Sequence, residues 1–231
     1  MSFVKLSRFA PLLGLVIGLL SGLLAASVHA AGDPIAAAAQ LNRAQALQAL
    51  KSSSPRVRME AVARLGAVGT MADADRVVGR LYDADEEVRQ LTGAALWQIW
   101  SRSGDKGIDA LYQQGVAQME SSKLREAVDT FTAIIAKRPS FAEAWNKRAT
   151  LYYLLGELDL SLKDCDEVIK RNRNHFGALS GYAQIYLQKG DLDRAKTYFG
   201  RALKVNPNLQ GVPDAIEQLQ EKQEQKRRNS I

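Results

Sequence analysis

"REAVDTFTAIIAKRP", residues 125–139, returns in outline as "DRAKTYFGRALKVNP", residues 193–207. Ala, Phe and Pro keep their places in the two segments while almost every other letter changes. The offset of 68 residues is twice 34, and three segments of 34 residues tile the chain without gaps: 108–141, 142–175 and 176–209. A fixed period of this length marks a repeat architecture.

Within each segment the fourth position is large and apolar (Leu111, Trp145, Leu179) and the eighth is small (Gly115, Ala149, Ala183). The twentieth is again small (Ala127, Ser161, Ala195). The twenty-fourth fills a gap (Phe131, Cys165, Phe199), and the twenty-seventh is aliphatic (Ile134, Val168, Ala202). Apolar residues recur at helical spacing in both halves, and Gly156 and Gly190 divide the halves of the second and third segments. Each unit therefore reads as a helical hairpin. Two antiparallel helices approach closely only where small side chains sit at the crossing, and Pro139 and Pro207 stop the second helix. Positions outside this pattern face water or a partner and are free to vary.

The pattern resembles the tetratricopeptide repeat over residues 108–209. The middle unit departs from it at Arg148, Ser161 and Arg173 but keeps Trp145, Ala149 and Tyr152 in phase. Upstream, a shift of 31 residues superposes Leu50 on Leu81, Val57 on Val88, Arg58 on Arg89, Ala63 on Ala94 and Leu65 on Leu96. "SPRVRMEAVARLGAVG" and "DEEVRQLTGAALWQIW" look like the first helices of short HEAT-like repeats, with "DADRVVGRLYDAD" as the return helix between them. The expected fold class is all-α, a right-handed α-α superhelix. Its HEAT-like region, residues 31–104, is expected to run continuously into the repeats of 105–209 through a hinge at "SRSGDKG", residues 101–107. Residues 210–231 carry Ile216 and Leu219 on one face, which suits a capping helix with a basic tail.

The front of the chain reads differently. Lys5 and Arg8 precede an uncharged apolar run, and "VHA" places small residues before Ala31. That order is expected of a signal peptide, residues 1–30, cleaved after Ala30. The run is also long enough to act as an uncleaved anchor, which is the one route by which a membrane enters this reading. Export to a bacterial periplasm is the expected localisation, with an inner-membrane anchor facing the periplasm as the alternative. Removing residues 1–30 takes away two basic residues and no acidic one, lowering the net charge from +6 to +4. So mild and interspersed a charge points to no nucleic-acid partner. Cys165 is the sole cysteine, so no internal disulfide forms.

Little in the sequence speaks for catalysis. With the signal segment removed, His175 is the remaining histidine, placed at a repeat junction where a helix-boundary role accounts for it. Cys165 occupies the gap-filling position of a repeat and reads as a core thiol. The acidic stretches at 83–87 and from 157 lack the ligand spacing of a calcium loop, and acidic residues at a helix start complement its dipole. No enzyme activity, metal or cofactor is expected.

The resemblance implies binding in a concave groove lined by the first helix of each hairpin. Its groove positions fall here on Tyr112, Gln113, Val116 and Met119 in the first unit. The second unit places Glu143, Asn146, Lys147, Thr150, Tyr153 and Leu154 there, and the third Ser180, Gln184 and Leu187. Tyr112 and Tyr153 are the expected anchors, with Gln113, Asn146 and Gln184 bonding a peptide backbone. Family members that clamp a chaperone's terminal carboxylate use Lys, Asn and Arg at places occupied here by Tyr112, Val116, Lys147, Gly177 and Gly181. Four of these five lack the charge or amide, so that clamp is not carried over. The expected function is a non-enzymatic adaptor holding a peptide or helix of a cell-envelope protein. The alternative is a self-associating, membrane-anchored assembly factor.

Overall fold

The computed structural model describes residues 40–229, without the side chain of Lys226. The expected signal segment and the start of the HEAT-like region lie outside the described residues. Within them the chain is helical, with no strand. No helix among them is long and apolar enough to cross a membrane.

Six helices form the three expected hairpins: α5 (Lys106–Glu120) with α6 (Leu124–Lys137), α7 (Ala142–Leu154) with α8 (Leu158–Arg171), and α9 (Phe176–Gln188) with α10 (Leu192–Val205). The turn inside each hairpin is the same. The amides of Lys123, Glu157 and Asp191 donate back to the carbonyls of Gln118, Tyr152 and Tyr186 at 2.8, 2.8 and 2.9 Å, closing the helix end with a left-handed residue. Gly156 and Gly190 supply that residue at φ 77°, whereas the first hairpin uses Ser122 at φ 58°.

The small residues of the repeat sit where helices cross. Ala127, Ser161 and Ala195 are buried, as are Phe131, Cys165 and Phe199. A Cβ on Gly115 would lie 2.7 Å from the Phe131 ring, so only glycine fits at that crossing. The departures of the middle unit find partners locally. Ser161 donates to the Ala149 carbonyl at 2.7 Å, and Arg148 pairs with Asp164 at 2.7 and 2.9 Å while lying over the Trp145 and Tyr152 rings. Arg173 is exposed. After Gly211, α11 (Val212–Arg228) buries Val212, Ala215 and Leu219 against the third hairpin and leaves a polar outer face.

Upstream, α1 (Arg43–Ala49), α2 (Pro55–Val68) and α4 (Glu86–Trp100) pack around Val62, Leu65, Leu96 and Ile99. Asp85 caps α4, with Glu86 and Glu87 in its first turn. The expected return helix is broken into three pieces: a 3-10 turn (Met71–Asp73), the short α3 (Ala74–Val78) and a second 3-10 turn (Gly79–Tyr82). Asp73 explains the break, since its carboxylate accepts from the Thr70 amide and from Arg43 and so fixes a tight turn. Arg58 grips Asp83 through two bonds of 2.8 and 2.6 Å and fastens the far end of the segment to α2.

The expected continuous run of units is not what the chain forms. After α4 the chain turns at Gly104, φ 80°, and the upstream unit also reaches the third hairpin. Tyr82 donates from its hydroxyl to the Lys204 carbonyl, Asn208 donates to the Leu81 carbonyl at 2.8 Å, and Asn174 donates to Asp75 at 2.9 Å. Phe176 belongs to the upstream core, with Val205 and Leu209 packed against it. The cause is visible in α4, whose Trp97 and Trp100 project beyond their own hairpin and meet aromatic partners at the start of α9.

Candidate binding groove

The head of the expected groove is filled by the chain itself. Trp100 stacks on His175 at 4.5 Å between ring centroids, and Trp97 meets His175 and Phe176 edge-on at 5.3 and 5.5 Å. Gly177, at the groove-facing second position of the third unit, makes room: a Cβ there would lie 2.4 Å from the Trp97 ring. Lys147 holds its ammonium 6.0 Å from the centre of the same ring.

Beneath the two tryptophans lies a buried polar chain crossing all three repeats. Tyr112 of the first unit donates to Glu143 Oε1 at 3.4 Å, Asn146 donates to the same oxygen at 3.2 Å, and His175 Nε2 lies 2.8 Å from Oε2. The amide of Ala178 donates to His175 Nδ1 at 3.0 Å, which leaves Nε2 to carry the proton and donate to the carboxylate. Glu143 is fully buried, and desolvation works hardest against its charge. Lys147, at 3.5 Å, and the bonds from His175 and Asn146 outweigh that, so its carboxyl sits below the ordinary value. Burial first, then the neighbouring Glu143, push the Tyr112 hydroxyl well above the ordinary phenol range. The arrangement ties the repeats together through buried polar side chains. His175 is thus the helix boundary expected of it, capping α9, and also the centre of this tie.

The predicted groove residues accordingly divide. Tyr112, Asn146, Ser180 and Gln184 are buried, so the expected Tyr112 anchor and the amides of Asn146 and Gln184 face no open groove. Tyr112 is buried among Ile108, Phe131 and Phe141 of the repeats themselves. Gln113 is exposed. Val116, Met119, Lys147, Thr150, Tyr153 and Leu187 are half-buried, and Leu154 is exposed. Met119, Tyr153 and Leu187 stand 34 residues apart at one position of the repeat, near the C-terminal ends of α5, α7 and α9. At this register each repeat has a half-buried apolar or aromatic side chain packed on its own core cluster. What sequence reasoning missed is the pair Trp97 and Trp100. Two of the chain's three tryptophans sit three apart on one helical face, more aromatic surface than a short hairpin needs.

Cys165 is buried and its thiol is pushed up by that burial, consistent with a core residue. Among the described residues no group of His, Cys, Asp or Glu is arranged to hold a metal.

Comparison with known proteins places this geometry in a class. A tetratricopeptide repeat model matches residues 112–176, and a second matches residues 176–209. A TPR repeat-containing protein of Rhizobium etli is 32% identical over 123 residues, spanning 53% of this chain and 60% of that protein. Hsp70-Hsp90 organizing protein 1 of Glycine max is 26% identical over 108 residues, 47% of this chain and 19% of the relative. The TPR domain of Sgt2 from Aspergillus fumigatus superposes with a TM-score of 0.51 at 19% identity, covering 55% of this chain and 85% of that domain. The described residues form an all-α helical-hairpin solenoid, and residues 112–209 match tetratricopeptide repeat models. It spans less than two thirds of the length of these curated relatives.

Proposed function

We propose that the protein is an exported, non-enzymatic adaptor that holds a peptide or helix of a cell-envelope protein against the open end of its repeat groove. The observation that carries this reading is the row Met119, Tyr153 and Leu187, which presents an apolar side chain from each successive repeat at one register. Leu154 is exposed beside it, and the Thr150 hydroxyl is taken up by the Asn146 carbonyl. A helix with apolar residues on one face meets such a row at regular spacing. Tyr153 supplies the broad contact area and hydrogen-bonding tip that anchors need. The name of the Glycine max relative describes a protein that organizes other proteins, in keeping with an adaptor role for such repeats. Export rests on the basic start, apolar run and small-residue junction of residues 1–31.

Crosslinking in cells with the tagged full-length chain tests this, set against the triple variant Met119→Glu, Tyr153→Glu, Leu187→Glu. An envelope protein captured by the wild type and lost from the variant is the expected result, together with a mature chain beginning at Ala31. The same partners in both, or copies of this chain alone, would move the working surface away from the groove.

A further inference from the structure

The three repeats share a register but not the same cover. The third position of the second and third units, Ala144 and Ala178, and the tenth, Leu151 and Ile185, are buried where α7 and α9 each lie against the second helix of the hairpin before. The same two positions of α5 are Ala110 and Ala117, and both are exposed, with Gln114 exposed between them. No described hairpin lies on that side of α5, since α4 meets the start of α9 instead.

The fourth position repeats the contrast. Trp145 donates its indole N–H to the Pro139 carbonyl of the preceding hairpin at 3.0 Å, and Leu179 is buried. Leu111 is half-buried beside an open cleft of about 340 Å³ that Ile108, Lys137 and Arg138 also line. A stacked array closes its core only where one unit meets the next, so among the described residues this edge is an end without a cap.

The opposite end is capped by α11, and its outward side is acidic. Asp214, Glu217, Glu221 and Glu224 are exposed and follow one another at three- and four-residue spacing, away from the buried Val212, Ala215 and Leu219. None of the four has an ion-pair partner among the described residues, and carboxylates at these spacings repel one another. The uncapped edge has the opposite sign. Lys106 at the start of α5 and Lys137 at the end of α6 are exposed and likewise unpaired among the described residues. The acidic residues beside them are engaged elsewhere: Asp105 accepts from the amides of Gly107 and Ile108, and Asp109 accepts from Ser103.

We propose that the array associates head to tail with a second copy of this chain, the acidic side of α11 in one copy lying along Ala110, Gln114 and Ala117 of the next, within reach of Lys106 and Lys137. Small side chains on that stripe let a helix approach closely, and the lysines relieve the repulsion along α11. Two different surfaces meet, so the contact does not close on a pair and extends into an open chain or a ring. It uses neither the row Met119, Tyr153 and Leu187 nor any rearrangement of the fold, and it stands independently of the adaptor reading.

Sedimentation velocity of the full-length chain, purified in the form that cells accumulate, reads the association against protein concentration and salt. The expected result is assembly at low salt that weakens about tenfold as salt rises to about 0.5 M. Glu217→Lys with Glu221→Lys should leave monomers, and so should Lys106→Glu with Lys137→Glu. Mixing the two reversed chains should restore assembly, since the acidic α11 of one then meets the basic edge of the other. A wild type that stays monomeric to about 0.1 mM at low salt overturns the proposal. Assembly that survives either reversal, or a mixture that stays monomeric, overturns it as well. Should a reversed chain lose helix content, carboxylate-to-lysine crosslinking of mixed light and heavy wild type decides. Links between copies from Lys106 or Lys137 to Glu217, Glu221 or Glu224 support the contact, and links confined to other residues overturn it. The triple variant Met119→Glu, Tyr153→Glu, Leu187→Glu should assemble as the wild type does, so failure of the adaptor reading and failure of this contact are separate outcomes.

Discussion

His175 Nε2 and Glu143 Oε2 lie 2.8 Å apart with both side chains fully buried, joining the second repeat to the start of the third. His175→Ala leaves the buried carboxylate to Lys147, Asn146 and Tyr112 alone and opens a cavity in place of the ring, so it should cost about 3–5 kcal/mol of stability. Glu143→Gln, which keeps the shape and removes the charge, should cost less, about 1–3 kcal/mol. The sign with pH follows from the lowered carboxyl of Glu143, whose ordinary value is 4.5. A depressed folded value means that its contribution is complete above the unfolded value and is lost as pH falls through the folded one. Urea unfolding of wild type and Glu143→Gln should therefore show a gap that is constant from pH 7 to 5 and closes below about 4.5. A gap that persists unchanged to pH 3 would mean the pair does not titrate as described.

Ser122 stands where Gly156 and Gly190 stand in the other hairpins and adopts the same left-handed conformation at φ 58°. A side chain there is strained, and glycine is not. Ser122→Gly should stabilise the chain by about 0.5–1 kcal/mol, and Gly156→Ala or Gly190→Ala should destabilise it by about 1 kcal/mol. Thermal unfolding of the three variants checks the opposite signs.

Much of this was legible in the sequence because repeat packing is local. Ala127, Phe131 and Ile134 meet partners within their own hairpin or the next, and a fixed period records such contacts. The helical pattern upstream was also legible in outline, although the return segment broke where Asp73 caps a turn. The fold-back was not, since the contact of Trp97 with Gly177 joins residues 80 apart and leaves no periodic trace. Tyr112, Asn146, Ser180 and Gln184 were read as open groove lining and are buried, because repeat position alone carries no record of what packs against a side chain.

Cys165 should be silent to thiol reagents in the folded protein. Its sulfur is buried at a helix crossing, and burial together with Asp164 and Asp166 disfavours the thiolate that does the reacting. Reaction with a disulfide reagent at pH 8 should follow the urea unfolding transition, reaching one thiol per chain only when the chain is unfolded. Fast labelling without denaturant would show that the second repeat opens locally.

The final prediction concerns the register of the repeats. Ala127 and Ala195 are fully buried at equivalent crossings, Ala127 in the cluster of Phe131 and Ala195 in that of Phe199. Ala127→Leu or Ala195→Leu adds three carbons where no space exists, and the helices must separate or the ring must leave its rotamer. Each should cost about 1–3 kcal/mol. Ser161→Ala at the same position of the second repeat removes only the hydroxyl bond to the Ala149 carbonyl, and should cost about 1 kcal/mol. Denaturant midpoints falling in that order support the register. Unchanged melting of the leucine variants would contradict the helix crossings themselves.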